Sequence, residues 1–152
     1  MYKNIIEFVE SKLEGFIKPE IIFEEEFTYG IETRNISVPN DYTCSPETVA
    51  WWERFMLQYL LVEHGLSLSK KDVYTFSLLH EIGHYITLEG IPSDIVYQKY
   101  IDEERKIPYH LSSSEFNKRY REISIERMAD LWAIDFIETY PEVLDLNNQN
   151  IY

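Results

Sequence analysis

Apolar and polar positions recur along this chain with two periods, and the changes between them mark out its elements. From Tyr2 to Glu14, Ile5, Ile6, Phe8, Val9 and Leu13 follow near-helical spacing and stop before Gly15, which predicts a first packing helix with glycine just past its end. Between Pro19 and Pro39 the texture changes to two short β-prone segments, Ile21 to Phe27 and Gly30 to Val38, where Ile36 and Val38 alternate with polar neighbours. These predict a small antiparallel sheet. Ser45-Pro46 offers a capping hydroxyl followed by proline at the first helical position, opening an aromatic helix through Trp51, Trp52, Phe55, Tyr59 and Val62 that closes near Gly65. Its aromatic stripe reads as core.

Ser69-Lys70-Lys71-Asp72 marks the next helix start, with an acid three positions after a capping hydroxyl. That helix runs through Val73, Phe76, Leu78, Leu79, Ile82 and Ile86 to about Glu89, where Gly90 and Pro92 end it. Its apolar residues cover more than one face, so it is expected to be central and mostly buried. Ser93-Asp94 opens a further helix to about Lys106, and Pro108 breaks it. Ser112 and Glu115 then form a capping box ahead of one long helical pattern that Tyr140-Pro141 ends. The expected fold class is α+β, mostly helical, with a small antiparallel sheet. One domain over residues 1–152 accommodates all of it, with 146–152 as a frayed polar tail.

Composition narrows the function. A chain of 152 residues with 45% hydrophobic and 15% aromatic residues can build a core despite a net charge of -13. That acidity, with no cluster of Lys or Arg, repels a phosphate backbone and argues against a nucleic-acid partner. It would attract a basic protein, although simple solubility is the plainer reading. Met1 to Glu10 is interrupted by Lys3, Glu7 and Glu10 and lacks the apolar run of a signal peptide, and Phe55 to Val62 is too short to span a bilayer. The single cysteine, Cys44, cannot close an intramolecular disulfide, which fits a reducing compartment. The expectation is a cytoplasmic protein with no membrane partner.

The chemistry sits on the central helix, at His80-Glu81-Ile82-Gly83-His84. Residues four apart share a helix face, so His80 and His84 can aim two imidazoles at one ion, while Glu81 can take a proton from water held beside it. Two imidazoles on a buried helix also need partners, and a shared ion supplies both. Catalytic zinc takes three protein ligands, so a third donor is required. In the last helix Ile123, Glu126, Asp130, Ile134 and Ile137 follow helical spacing, and two carboxylates therefore interrupt a stripe that packs inward. The economical assignment makes Glu126 the third ligand and lets Asp130 accept the ring N–H of His80. An ordinary ion pair of these acids with Arg121 or Arg127 is the plain alternative, and Asp94 or Glu104 remain alternative ligands.

His80 to His84 together with Glu126-x-x-x-Asp130 resembles the signature of gluzincin metallopeptidases. More narrowly, Phe76 to Tyr85 followed by Glu126-x-x-Ala129-Asp130-x-x-Ala133 is similar to the ImmA/IrrE family of bacterial and phage-associated metallopeptidases. The likeness covers about a quarter of the chain, and the stretch from His84 to Glu126 is longer than the family pattern, accommodating an extra helix. The resemblance implies a zincin-like fold with a small sheet over the active-site helix. It implies one Zn²⁺ bound by His80, His84 and Glu126, with Glu81 as general base and Asp130 behind a ligand. It also implies cleavage of an intracellular protein such as the repressor of a phage or mobile element, with or without an activating partner protein. Tyr109 and His110, after Pro108, are the candidates for steadying the oxyanion, and His64 reads as a surface or capping histidine. The edge of the strand Gly30 to Val38 is a candidate for pairing with an extended peptide substrate. Two other classes stay in view: a metal-containing regulatory module that binds proteins without turnover, and another metal-assisted hydrolase such as a deformylase, whose pattern has a cysteine ligand in a motif that Cys44 lacks.

Overall fold

A computed structural model describes residues 2–40 and 44–146 of the chain. The residues in order form α1 (Tyr2–Lys12), β1 (Ile21–Glu24), β2 (Thr28–Tyr29), β3 (Ile36–Pro39), α2 (Pro46–Trp51) and α3 (Leu57–His64). There follow α4 (Val73–Thr87), α5 (Ser93–Glu104), α6 (Ser113–Arg121) and α7 (Ser124–Thr139). The fold is α+β and mostly helical. Among the described residues no helix is long and apolar enough to cross a membrane.

Local signals account for most of these boundaries. Ser45 caps α2 by accepting the Thr48 N–H at 3.1 Å, with Pro46 inside the first turn, and a π-helical segment, Trp52–Met56, carries α2 on into α3. Gly65 ends α3 with φ 66°, a left-handed conformation that costs glycine nothing. The Ser69/Asp72 capping box is present and starts a 3₁₀ turn that leads into α4. Every residue of α4 from Val73 to His84 is buried, as apolar residues on more than one face require. The main core gathers around this helix: Ile5, Ile6 and Val9 of α1, Ile36 and Val38 of β3, and Ala133, Ile134, Phe136 and Ile137 of α7. A smaller cluster of Leu88, Val96, Ile123 and Ile125 lies between the end of α4, α5 and the start of α7.

The sheet differs from expectation. Its order is β1-β3-β2, with β1 parallel to β3 and β2 antiparallel to it, so it is mixed rather than antiparallel. The segment Gly30 to Val38 is not one strand. Its first half turns back on itself, Arg34 N–H donating to Gly30 C=O at 2.7 Å with Arg34 at φ 57°, and only its second half joins the sheet as β3. β3 is therefore the central strand, buried throughout, and the free edges belong to β1 and β2. Arg34 is held over Tyr85 of α4, 4.6 Å from the ring centroid, and donates to the Tyr85 carbonyl at 3.0 Å, which ties this turn to the central helix.

The long helical pattern after Ser112 is also interrupted. Ser112 does cap α6, accepting the Glu115 N–H at 3.2 Å, but the chain leaves helical geometry at Ile123 (ψ 130°) and restarts as α7. The restart is fixed from a distance: Glu103 of α5 accepts the Ser124 backbone N–H at 2.9 Å and the Ser124 hydroxyl as well. A carboxylate at this helix N-terminus satisfies an orphan donor and complements the dipole. Of the expected tail, 147–152 lies outside the described residues, whereas Leu146 packs against the main core.

Candidate metal centre and its cavity

One turn of α4 separates His80 from His84, whose ring centroids lie 4.6 Å apart at an interplanar angle of 83°. Ligand atoms of His80, Glu81 and His84 lie within 4.8 Å of one another, and all three residues are buried, so the cluster could hold a metal ion. The ring of Tyr29, on β2, stacks on His84 at 5.8 Å. Nδ1 of His84 is buried and has no hydrogen-bond partner among the described residues.

The second half of the site comes from α7, and a glycine sets how close that helix comes. A Cβ at Gly83 would lie 2.8 Å from the Ala129 carbonyl oxygen and 3.0 Å from its Cα, so the two helices touch backbone to backbone here. Glu126 and Asp130, three residues before and one after Ala129, are brought over the histidines. The Glu126 carboxylate spans both rings, with Oε2 3.1 Å from His80 Nε2 and Oε1 3.3 Å from His84 Nε2. Asp130, only 1% exposed, has Oδ1 2.7 Å from the other ring nitrogen of His80, Nδ1. The contact expected between Asp130 and His80 is thus present, and Glu126 has a carboxylate oxygen within 3.3 Å of a ring nitrogen of each histidine. Asp94 and Glu104 are not among the residues lining this site.

Arg121, the last residue of α6 and one of the two ion-pair partners the sequence offered for these acids, completes the network. It donates to both Asp130 oxygens, from Nε at 2.9 Å and Nη2 at 2.6 Å, and Nη2 lies 3.5 Å from Glu126. The ion pair weighed as an alternative therefore coexists with the histidine contact: Asp130 serves both. Arg127 is exposed and takes no part.

Burial and charge set the protonation of this cluster. Burial works against charge on His80, but the hydrogen bond and charge of Asp130, then the hydrogen bond to Glu126, outweigh it and push the ring up to about 10 in the metal-free protein. For Glu126 burial favours the neutral acid, yet hydrogen bonds from His80 and His84 and their charge hold the carboxyl well below the usual range. Asp130 is likewise held down, burial being outweighed by Arg121 and then His80. Glu81 goes the other way: burial raises it, and the two histidines only partly offset that. Glu81 is 9% exposed and has no hydrogen bond or ion pair among the described residues, so its carboxyl is uncommitted.

These residues floor a cavity of about 620 Å³. Its walls include Phe27, Tyr29, Trp51, Trp52, Tyr97, Tyr100 and Tyr120, and Cys44 also lines it without entering the metal-capable cluster. Tyr109 and His110 are not there. They occupy an exposed turn after α5, Tyr109 at 103% exposure, because the chain swings outward at Pro108 before α6 returns to the site. Two of the tyrosines that do line the cavity, Tyr100 and Tyr120, share a 2.9 Å hydrogen bond between their hydroxyls. Burial, then charge from Glu126, raises Tyr120, so its proton stays on the oxygen at neutral pH. His64 lies at the end of α3, its ring against Tyr59, away from the cavity.

No protein-family model matches the chain, and neither a curated protein nor a solved structure matches it.

Proposed function

We propose that the protein is a zinc-dependent endopeptidase of the gluzincin type, whose motifs are similar to those of the ImmA/IrrE family and whose substrate is an intracellular protein such as a phage or mobile-element repressor. The observation that carries this reading is the Glu126 carboxylate spanning His80 Nε2 and His84 Nε2 at 3.1 and 3.3 Å beside an uncommitted Glu81. Zinc bonds of about 2.0 to 2.2 Å in tetrahedral arrangement put neighbouring donors roughly 3.3 to 3.6 Å apart, and two imidazoles with one carboxylate are a donor set that zinc takes in hydrolases. The residues present fit that ion.

A bound Zn²⁺ supplies Lewis-acid polarisation of a peptide carbonyl and makes water acidic enough to attack at neutral pH. The chain's own residues do the rest. Glu81, with its pKa raised by burial, takes the water proton and returns it to the leaving amine. Asp130 fixes the orientation of His80 through Nδ1, and Arg121 holds Asp130 in place from both of its oxygens. Tyr120 or Tyr100, in place of Tyr109 and His110, donates to the oxygen that gains charge. The free edge of β2, rather than β3, lies along the cavity beside His84 and suits an extended peptide.

Incubation of the protein with a candidate repressor and with fluorogenic peptides, with and without chelator, tests the reading. Cleavage should stop on chelation and return with zinc, and Glu126→Ala should lose the ion. Stoichiometric zinc in Glu126→Ala, or cleavage that survives chelation, would refute the assignment. Bound zinc without cleavage of any substrate would favour the protein-binding module instead, although such a module has no need of an uncommitted Glu81.

A further inference from the structure

We infer that the cavity takes a peptide with one large apolar side chain and a basic residue within a few positions of it. The inference rests on the peptidase reading, since it says what that site would act on.

The apolar requirement comes from the walls. Phe27, Trp51, Trp52, Met56, Phe76 and Leu88 line the cavity, and its volume of about 620 Å³ is large enough for several residues of an extended chain. Water in such a space gains little from its surroundings, and an aromatic or long aliphatic side chain displaces it favourably. The opening through to solvent is also marked by Trp51, which is 40% exposed.

The basic requirement comes from charge. Among the described residues the lining carries five carboxylates, Glu25, Glu26, Glu47, Glu81 and Glu126, against one Lys or Arg side chain, Arg121, whose guanidinium is already committed to Asp130. A dication on the floor offsets Glu81 and Glu126 and leaves Glu25, Glu26 and Glu47 uncompensated. These three are exposed and make no ion pair among the described residues. They come from two separate elements, the bend between β1 and β2 and the first turn of α2, so their field is directed into the shared space between them. Independently of this rim, Glu81 is nine-tenths buried, faces the cavity and has no hydrogen bond or ion pair among the described residues, which marks the interior as built for an occupant. Glu25 and Glu26 are separated from β2 only by Phe27, and an extended peptide would follow the edge of that strand at about 3.3 Å per residue, so cation and apolar side chain fall close together in the peptide sequence. An acidic or phosphorylated segment is repelled by the same arrangement.

The test uses labelled peptides centred on Phe with Lys, Gln or Glu neighbours. Binding is followed by fluorescence anisotropy on zinc-saturated full-length Glu81→Gln, whose residual turnover is too slow to consume the peptide during the measurement, and cleavage on the wild-type protein. The Lys peptide should bind about tenfold more tightly than the Glu peptide, the sum of two or three exposed ion pairs, and the gap should narrow with added salt. Exchanging Phe for Ser should cost about another tenfold. Glu25→Lys with Glu26→Lys, both on an exposed bend, should reduce the charge preference to about twofold or less, and Glu47→Lys on α2 provides the same readout from a different element. Equal binding of the Lys and Glu peptides, an unchanged preference in the charge-reversed proteins, or no peptide binding at all would overturn the inference. Preferential binding of a peptide that zinc-loaded wild-type protein never cuts would sink the peptidase reading while sustaining the inference; cleavage with no charge preference would do the reverse.

Discussion

The floor and the rim of the cavity are built on opposite principles. On the floor, charges are buried and nearly all are spoken for: Asp130 answers to Arg121 and His80, Glu126 to both histidines, and Glu81 has no partner among the described residues. On the rim, Glu25, Glu26 and Glu47 are exposed and make no ion pair among the described residues. Paired buried charges are costly to disturb singly, because the partner is stranded in a low-dielectric interior, whereas exposed ones can be changed at little cost to the fold. The difference assigns geometry to the floor and selection to the rim, and substitutions should separate them.

The largest expected effect is at the uncommitted residue. Glu81→Gln should lower turnover by about 10² to 10⁴-fold and leave zinc content, read by metal analysis, at the wild-type level. Zinc lost along with activity would make Glu81 a ligand rather than a base. Next comes the support of the floor: Asp130→Asn should weaken zinc binding by roughly 10 to 100-fold in chelator competition, and an unchanged affinity would mean that His80 needs no such support.

A smaller, graded effect is expected from pH. With His80 pushed up to about 10 in the metal-free protein, zinc has to displace a proton from that ring. Apparent zinc affinity should therefore rise with pH, by up to about tenfold per unit, and keep rising between pH 7 and 8.5 with proton release detectable by an indicator dye. An imidazole of ordinary pKa, about 6.5, would level off below that range. The metal-free protein should show the opposite slope. A histidine whose folded pKa is raised contributes its stability fully below about pH 6.5 and loses it as pH rises toward about 10, so thermal unfolding without metal should move to lower temperature across that window. At the rim, Glu47→Gln should change stability by no more than about 0.5 kcal/mol, as measured by denaturant unfolding, and a large loss there would erase the contrast between the two regions.

What the sequence disclosed of this arrangement follows the range of the interactions involved. The pairing of His80 with His84, the inward stripe from Ile123 to Ile137 and the caps at Ser45, Ser69 and Ser112 all depend on neighbours within a turn or two, and each is present. The meeting of Asp130 with His80 spans fifty positions, yet two acids on an apolar stripe demanded a cation or donor and thereby announced it. Strand direction was not legible, because alternation of side chains is the same in parallel and antiparallel neighbours. Nor was the break before Ser124, where Glu103 provides the cap from another helix and no Gly or Pro marks the spot. Tyr109 and His110 were drawn from a loop on residue type alone, while the hydroxyls on the cavity wall sit on helices α5 and α6 among many other tyrosines. Arg121 was legible as an ion-pair partner for the two acids, but not its grip on both Asp130 oxygens from the last turn of α6, where Lys118 and Arg119 lie beside it.

Gly83 gives the motif a component that is an omission. The letters usually read at this place are the two rings and the acid between them, yet the residue just before His84 has to contribute nothing, since even one methyl group would collide with the Ala129 main chain and wedge the ligand-bearing helices apart. A homologue could keep every acid and imidazole of this cluster, carry leucine at that one place, and hold a centre that exists only on paper. Recognising working copies of this site therefore means scoring an empty position as strictly as the filled ones.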